Sequence, residues 1–225
     1  MKRHFDEDLD DLRGRLLRMG ALAERMIRYA MKLLVERDES HMAEVRDCER
    51  QVNLLHIEID ERCLALIALH QPAAGDLRLI AAAVKINADL ERIGDQAVNV
   101  AETATYLCGM SGVRLGDITR MEEISVSMLK DSLDAFARKD LALAQAVLDR
   151  DDEVDGLKKK VFDETAALMR SDPSAVQTGI ETLLISRNFE RIADHSTNIA
   201  EDVIFMVAAK DIRHGAGRSP EPSPG

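Results

Sequence analysis

From Phe5 onward the apolar residues Leu9, Leu12, Leu16, Met19, Leu22, Met26, Met31, Leu34 and Val35 recur mostly at three- and four-residue steps, which marks one buried helical face. The pattern predicts a first helix over 5–36, closed by the polar turn Arg37, Asp38, Glu39 and Ser40. Gly14 and Gly20 inside it each cost about 1 kcal/mol against Ala, so they point to a close backbone contact or a bend. Val45, Val52, Leu55, Ile59, Leu66 and Leu69 carry a second helix over 41–69. Gln71-Pro72 ends it, because proline disfavours helical geometry in the residue before it. A third helix runs over 76–108 through Ile86, Leu90, Ile93, Val100 and Leu107, and Gly109, Ser111, Gly112 and Gly116 then mark a boundary. Beyond it the plan repeats, with helices expected over 117–138, 140–170 and 173–210. The last opens on Pro173, whose missing donor would be unsatisfied there anyway. The tail GAGRSPEPSPG has no apolar residue larger than Ala and is expected to be disordered.

The repetition is also written in the residues. ERIADHSTNIAE at 190–201 agrees with ERIGDQAVNVAE at 91–102 in seven of twelve positions, at an offset of 190 − 91 = 99 residues. Self-similarity at a fixed period indicates duplication of one domain-sized unit, which favours two modest cores over a single large one.

Composition narrows the class. Hydrophobic residues make up 46% of the 225 and charged residues 32%, against 3% aromatic and no Trp. That balance suits amphipathic helices, so the fold class is all-α. A formal net charge of −11 with no basic run argues against nucleic-acid binding. Cys48, Cys63 and Cys108 form no metal-ligand spacing and read as reduced thiols, pointing to the cytoplasm. No apolar run approaches about 18 residues, and the charged N-terminus does not read as a secretion signal.

At about 100° per residue, Glu91, Asp95, Asn99 and Glu102 share roughly one quadrant of the third helix, opposite Ile86, Leu90, Ile93 and Val100. Glu190, Asp194, Asn198 and Glu201 do the same on the last helix. A solvated acidic face is the usual explanation for such a stripe. Two observations weigh against it. Like charges four apart repel, yet both copies keep Glu-x-x-x-Asp. Folding back about Asp172-Pro173 also sets Asp155 opposite Glu190 and Asp151 opposite Asp194, while folding about Pro72 sets Asn53 opposite Glu91 and Glu49 opposite Asp95. Carboxylates converging in this way take up protons or bind a cation. Oxygen ligands suit Mg²⁺, Ca²⁺, Mn²⁺ or iron. The candidate metal ligands are therefore Glu49, Glu91, Asp95, Asp151, Asp155, Glu190 and Asp194, with ion pairing to Arg92 and Arg191 as the alternative. His195 has Gln96 as its counterpart and reads as a packing or hydrogen-bonding residue. His56 and His70 are isolated. No phosphate loop, nucleophile elbow or Cys-His pairing is present, so no catalytic residue is assigned. A di-iron bundle would need Glu-x-x-His pairs, which the chain lacks.

The segments FDEDLDDLR, MGALAE, QPAAGDLR, INADLERIGD, RNFERIADHSTNIAEDVIF and DIRH, in that order, resemble the PhoU family of phosphate-transport accessory proteins over residues 5–214. The resemblance implies two tandem three-helix bundles of six long helices, divided as 1–112 and 113–214 with a tail at 215–225. It implies Glu/Asp-x-x-x-Asp motifs that in some members hold iron or other cations. Here they fall on Glu91 and Asp95, Glu190 and Asp194, and Asp151 and Asp155, while Glu49 with Asn53 replaces one carboxylate by an amide and weakens the first site. It further implies a non-enzymatic negative regulator of the phosphate-starvation response. Such a protein would sit peripherally at the membrane through its partners, the ATPase of a phosphate-importing ABC transporter and a sensor histidine kinase. An accessory subunit of a low-affinity phosphate carrier is the alternative. Leu- and Met-rich faces could support a homodimer.

Overall fold

The computed structural model describes residues 4–110 and 115–212. Its elements are α1 (His4–Glu36), α2 (His41–His70), α3 (Ala74–Leu107), α4 (Gly116–Arg138), α5 (Leu141–Leu148), α6 (Asp151–Ser171) and α7 (Val176–Ala208), with a single 3-10 turn at Pro173–Ala175. The chain is all-α. The expected tail at 215–225 and the boundary residues Ser111 and Gly112 lie outside the described residues.

Five of the six expected long helices form as single rods. The one expected over 140–170 is two, a short α5 and the longer α6, separated at Asp149 and Arg150. Asp140 caps α5 by accepting from the Ala142 and Leu143 amides at 3.0 Å, and α6 starts afresh with Asp151, Asp152 and Glu153 in its first turn, where the helix dipole favours them. The break is pinned from outside. Arg150 donates to Ser127 Oγ at 2.9 Å and to Asp131 at 2.6 Å, tying the joint to α4. Pro173 opens a 3-10 turn instead of the helix itself, with Asp172 accepting from the Ser174 amide at 2.9 Å.

α1, α2 and α3 pack together, as do α4, α6 and α7, and the two sets join through α3 against α7 and α1 against α4. The α3–α7 contact is the most extensive in the molecule. Buried apolar residues from Leu9 to Met206 therefore form one continuous cluster where the repeat suggested two. Each Leu, Ile or Phe buried there contributes roughly 1.5–3 kcal/mol. Of the two glycines in α1, Gly14 faces open space, whereas a Cβ on Gly20 would stand 2.2 Å from Leu133 Cδ1. Gly20 thus lets α1 approach α4 closely. Four helix ends, at Arg37, Gln71, Lys139 and Ala209, turn to positive φ without glycine.

Candidate functional site

Ile86, Leu90, Ile93 and Val100 on α3 are fully buried, as are Ile192 and Ile199 on α7. Burying these faces turns the Glu-x-x-x-Asp stripes outward. In the second half α6 runs beside α7, and Asp151, Asp155 and Glu190 all act electrostatically on Asp194. Desolvation and then the charges of Glu190, Asp151 and Asp155 push the Asp194 carboxyl up to about 6. Desolvation, followed by Asp155, Asp152 and Glu190, raises Asp151 as well. In the first half Asp95 is raised by desolvation and then by Glu91 and Glu49. Glu49, Glu91 and Asp95 thus gather into one group and Asp151, Asp155, Glu190 and Asp194 into another, while Asn53 is exposed.

The acids are not answered by Arg92 and Arg191, which make no ion pair among the described residues. Lys158 Nζ donates to Glu190 at 2.5 Å, and Arg46 bridges Glu49 at 2.9 Å and Glu102 at 2.5 Å. Both cations sit one helical turn from a predicted ligand on their own helix, Lys158 from Asp155 and Arg46 from Glu49, so the three-residue spacing was the available signal. Among the described residues no three His, Cys, Asp or Glu side chains stand close enough to hold one ion. The oxygen chemistry suits a hard cation, but the side chains as placed do not form its coordination shell. A cleft of about 610 Å³ over Glu190 and Asp194 is lined also by Lys158, Arg187, Arg191 and His195. The acidic stripe is thereby interleaved with positive groups.

Three further contacts join the halves. His195 Nδ1 lies 2.8 Å from Asp89 Oδ1, as expected of a hydrogen-bonding histidine, and Asn198 donates to the same oxygen at 3.3 Å. Lys85 donates to Asp202 at 2.7 Å. Neither Asp89 nor Lys85 stood out in the sequence, since each pairs only across the α3–α7 seam. Cys48 and Cys63 are buried free thiols, and burial pushes Cys63 up to about 12. No described helix is long and apolar enough to cross a membrane.

The PhoU domain matches twice, over residues 16–104 and 118–203, spanning most of the chain. The chain belongs to the PhoU family. The PhoU repeat boundaries fall within α1 to α3 and α4 to α7, so the duplicated unit is a helical set ending on the Glu-x-x-x-Asp stripe. A phosphate-specific transport system accessory protein PhoU homolog of Pseudomonas putida is 37% identical over 95% of this chain and 84% of its own length. The homolog from Pseudomonas aeruginosa is 38% identical over 95% and 89%. The crystal structure of PhoU from Pseudomonas aeruginosa superposes with a TM-score of 0.88, covering 92% of this chain and all of that one. The phosphate transport system regulatory protein PhoU from Streptococcus pneumoniae gives 0.85 at 25% identity, over 92% of this chain and 99% of that one.

Proposed function

We propose that this protein is a non-enzymatic regulatory accessory protein of phosphate import. It contacts the ATPase of a phosphate ABC transporter on the cytoplasmic side and a phosphate-sensing histidine kinase, holding the starvation response off when phosphate is plentiful. The supporting observation is its similarity, along nearly the whole chain, to relatives described as phosphate-specific transport system accessory proteins. A rigid helical surface fits binding and population shift better than chemistry on a substrate. The test is a pull-down from cells expressing both partners in phosphate-rich medium, with a starvation reporter read in a deletion strain. Recovery of both partners and derepression of the reporter are expected; recovery of neither with a silent reporter overturns the reading. Capture of a low-affinity phosphate carrier instead would favour the carrier-subunit alternative.

A cation at the α6–α7 cluster is a second reading, favoured by carboxylates that raise one another's proton affinity. A divalent ion or iron would compete with Lys158 for Glu190. Elemental analysis of protein purified without chelators should find metal in the parent and lose it in the Glu190→Ala/Asp194→Ala double variant. Equal content in the two would remove this reading.

A further inference from the structure

α6 buries only Val154, Val161 and Thr165 along its 21 residues. Its outer side leaves Phe162 56% exposed. Beside it α7 presents Val176, Ile180 and Leu184, each 40–43% exposed, and four-residue steps place them on one ridge. Between the two helices Phe162, Leu183 and Leu184 wall an open groove of about 690 Å³, rimmed by Lys158, Lys159 and Arg187. Asp155 is the acid in its lining. Lys158 is held by Glu190, but Lys159 and Arg187 make no ion pair among the described residues. Arg191, one turn further along α7, is in the same position. A groove with an apolar floor and unmatched cations on its rim is the reverse of what a chain of net charge −11 offers on average.

We infer that this groove docks an amphipathic helix of a partner protein, whose apolar ridge enters between Phe162 and Leu184 and whose flanks carry Asp and Glu. A helix laid in a two-helix groove is read through anchors at three- and four-residue steps, and the rim cations select acidic flanks by charge complementarity. A second copy of this chain fits less well. Across a twofold axis the cationic rim of one copy would meet the identical cationic rim of the other. An anionic lipid surface is disfavoured by the concave shape, which a flat bilayer surface does not fill. The inference deepens the adaptor reading and rests on it, by naming the surface and the chemistry of the segment held there.

The test titrates the full chain into two labelled model helices that share one leucine ridge, one flanked by Glu and one by Lys, and follows fluorescence anisotropy. The Glu-flanked helix is expected to bind at least about tenfold more tightly, and Phe162→Ser and Arg187→Glu each to weaken it by about tenfold or more. Leu54→Ser, at an exposed apolar residue of α2, should leave binding unchanged. Equal binding of the two helices, or unaltered binding by both groove variants, overturns the inference. So does tighter binding to anionic phospholipid vesicles than to the helix, or a dimer that Phe162→Ser converts to monomer. Pull-down of the transporter and kinase separates the two claims. If the groove variants still recover both partners, the adaptor reading stands without this groove. If the unaltered chain recovers neither while the acidic helix binds, the adaptor reading fails alone.

Discussion

α2 and α6 hold the same place in the two repeats, each lying beside the helix that carries Glu-x-x-x-Asp. In α2 the buried positions Val52, Ile59, Cys63 and Leu66 are at most 2% exposed. The matching positions of α6 are Val154, Val161, Thr165 and Leu168, and burial fails progressively along them until Leu168 is only partly covered. A cavity of about 270 Å³ beside Thr165 and Leu168 opens where α2 is packed tight. The acids follow the packing. Beside α2, Arg46 bridges two carboxylates from two helices; beside α6, Lys158 pairs with Glu190 alone, and Asp151, Asp155 and Asp194 make no ion pair among the described residues. One duplicated motif therefore has two electrostatic outcomes, set by how well its neighbour is seated. The loosely seated helix is also the one that leaves an open groove.

The largest expected effect tests whether the halves share one core. Phe189→Ala on α7 removes a fully buried ring and should cost roughly 3–5 kcal/mol in urea unfolding. The loss should appear as one cooperative transition moved to lower urea; a split into two transitions would mean that the repeats fold independently. Gly156→Ala comes next. A Cβ there meets nothing within 4 Å, so the change should raise stability by about 1 kcal/mol and narrow the gap between α6 and α2. No gain in midpoint would show that α6 is not limited by its own helix propensity.

Asp194→Asn sharpens the electrostatic side. The folded carboxyl sits at about 6, above the usual unfolded value of about 3.9, so the native state binds more protons between those values. Stability contributed there is complete at pH 4 and is lost as pH rises through about 6. The variant should therefore melt higher than the parent at pH 7 and alike at pH 4, and a gap independent of pH would refute the charge argument. The smallest effects are Arg46→Ala and Lys158→Ala, each below about 1 kcal/mol because the pairs are partly exposed. Added salt should shrink both, and a loss unaffected by salt would assign these side chains a packing role. Amide exchange in the C-terminal half of α6 should outpace that in α2, since few buried contacts hold it.

Periodicity alone located nearly all the rods, because burial of one helical face is a local pattern with a 3.6-residue period. The 99-residue repeat likewise placed both acidic stripes, since side chains three and four apart share a face whatever surrounds them. What escaped the sequence depends on partners distant along the chain. The break between α5 and α6 is pinned by Arg150 reaching back to Ser127 and Asp131, and the α3–α7 seam by Asp89 with His195 and Lys85 with Asp202. The cations that answer the carboxylates left only a weak local signal: many arginines and lysines lie within a turn of an acid, and packing selects which ones turn inward. Sequence thus determined which faces are oily and which acidic, whereas close approach between helices decided which charges meet and which groove stays open.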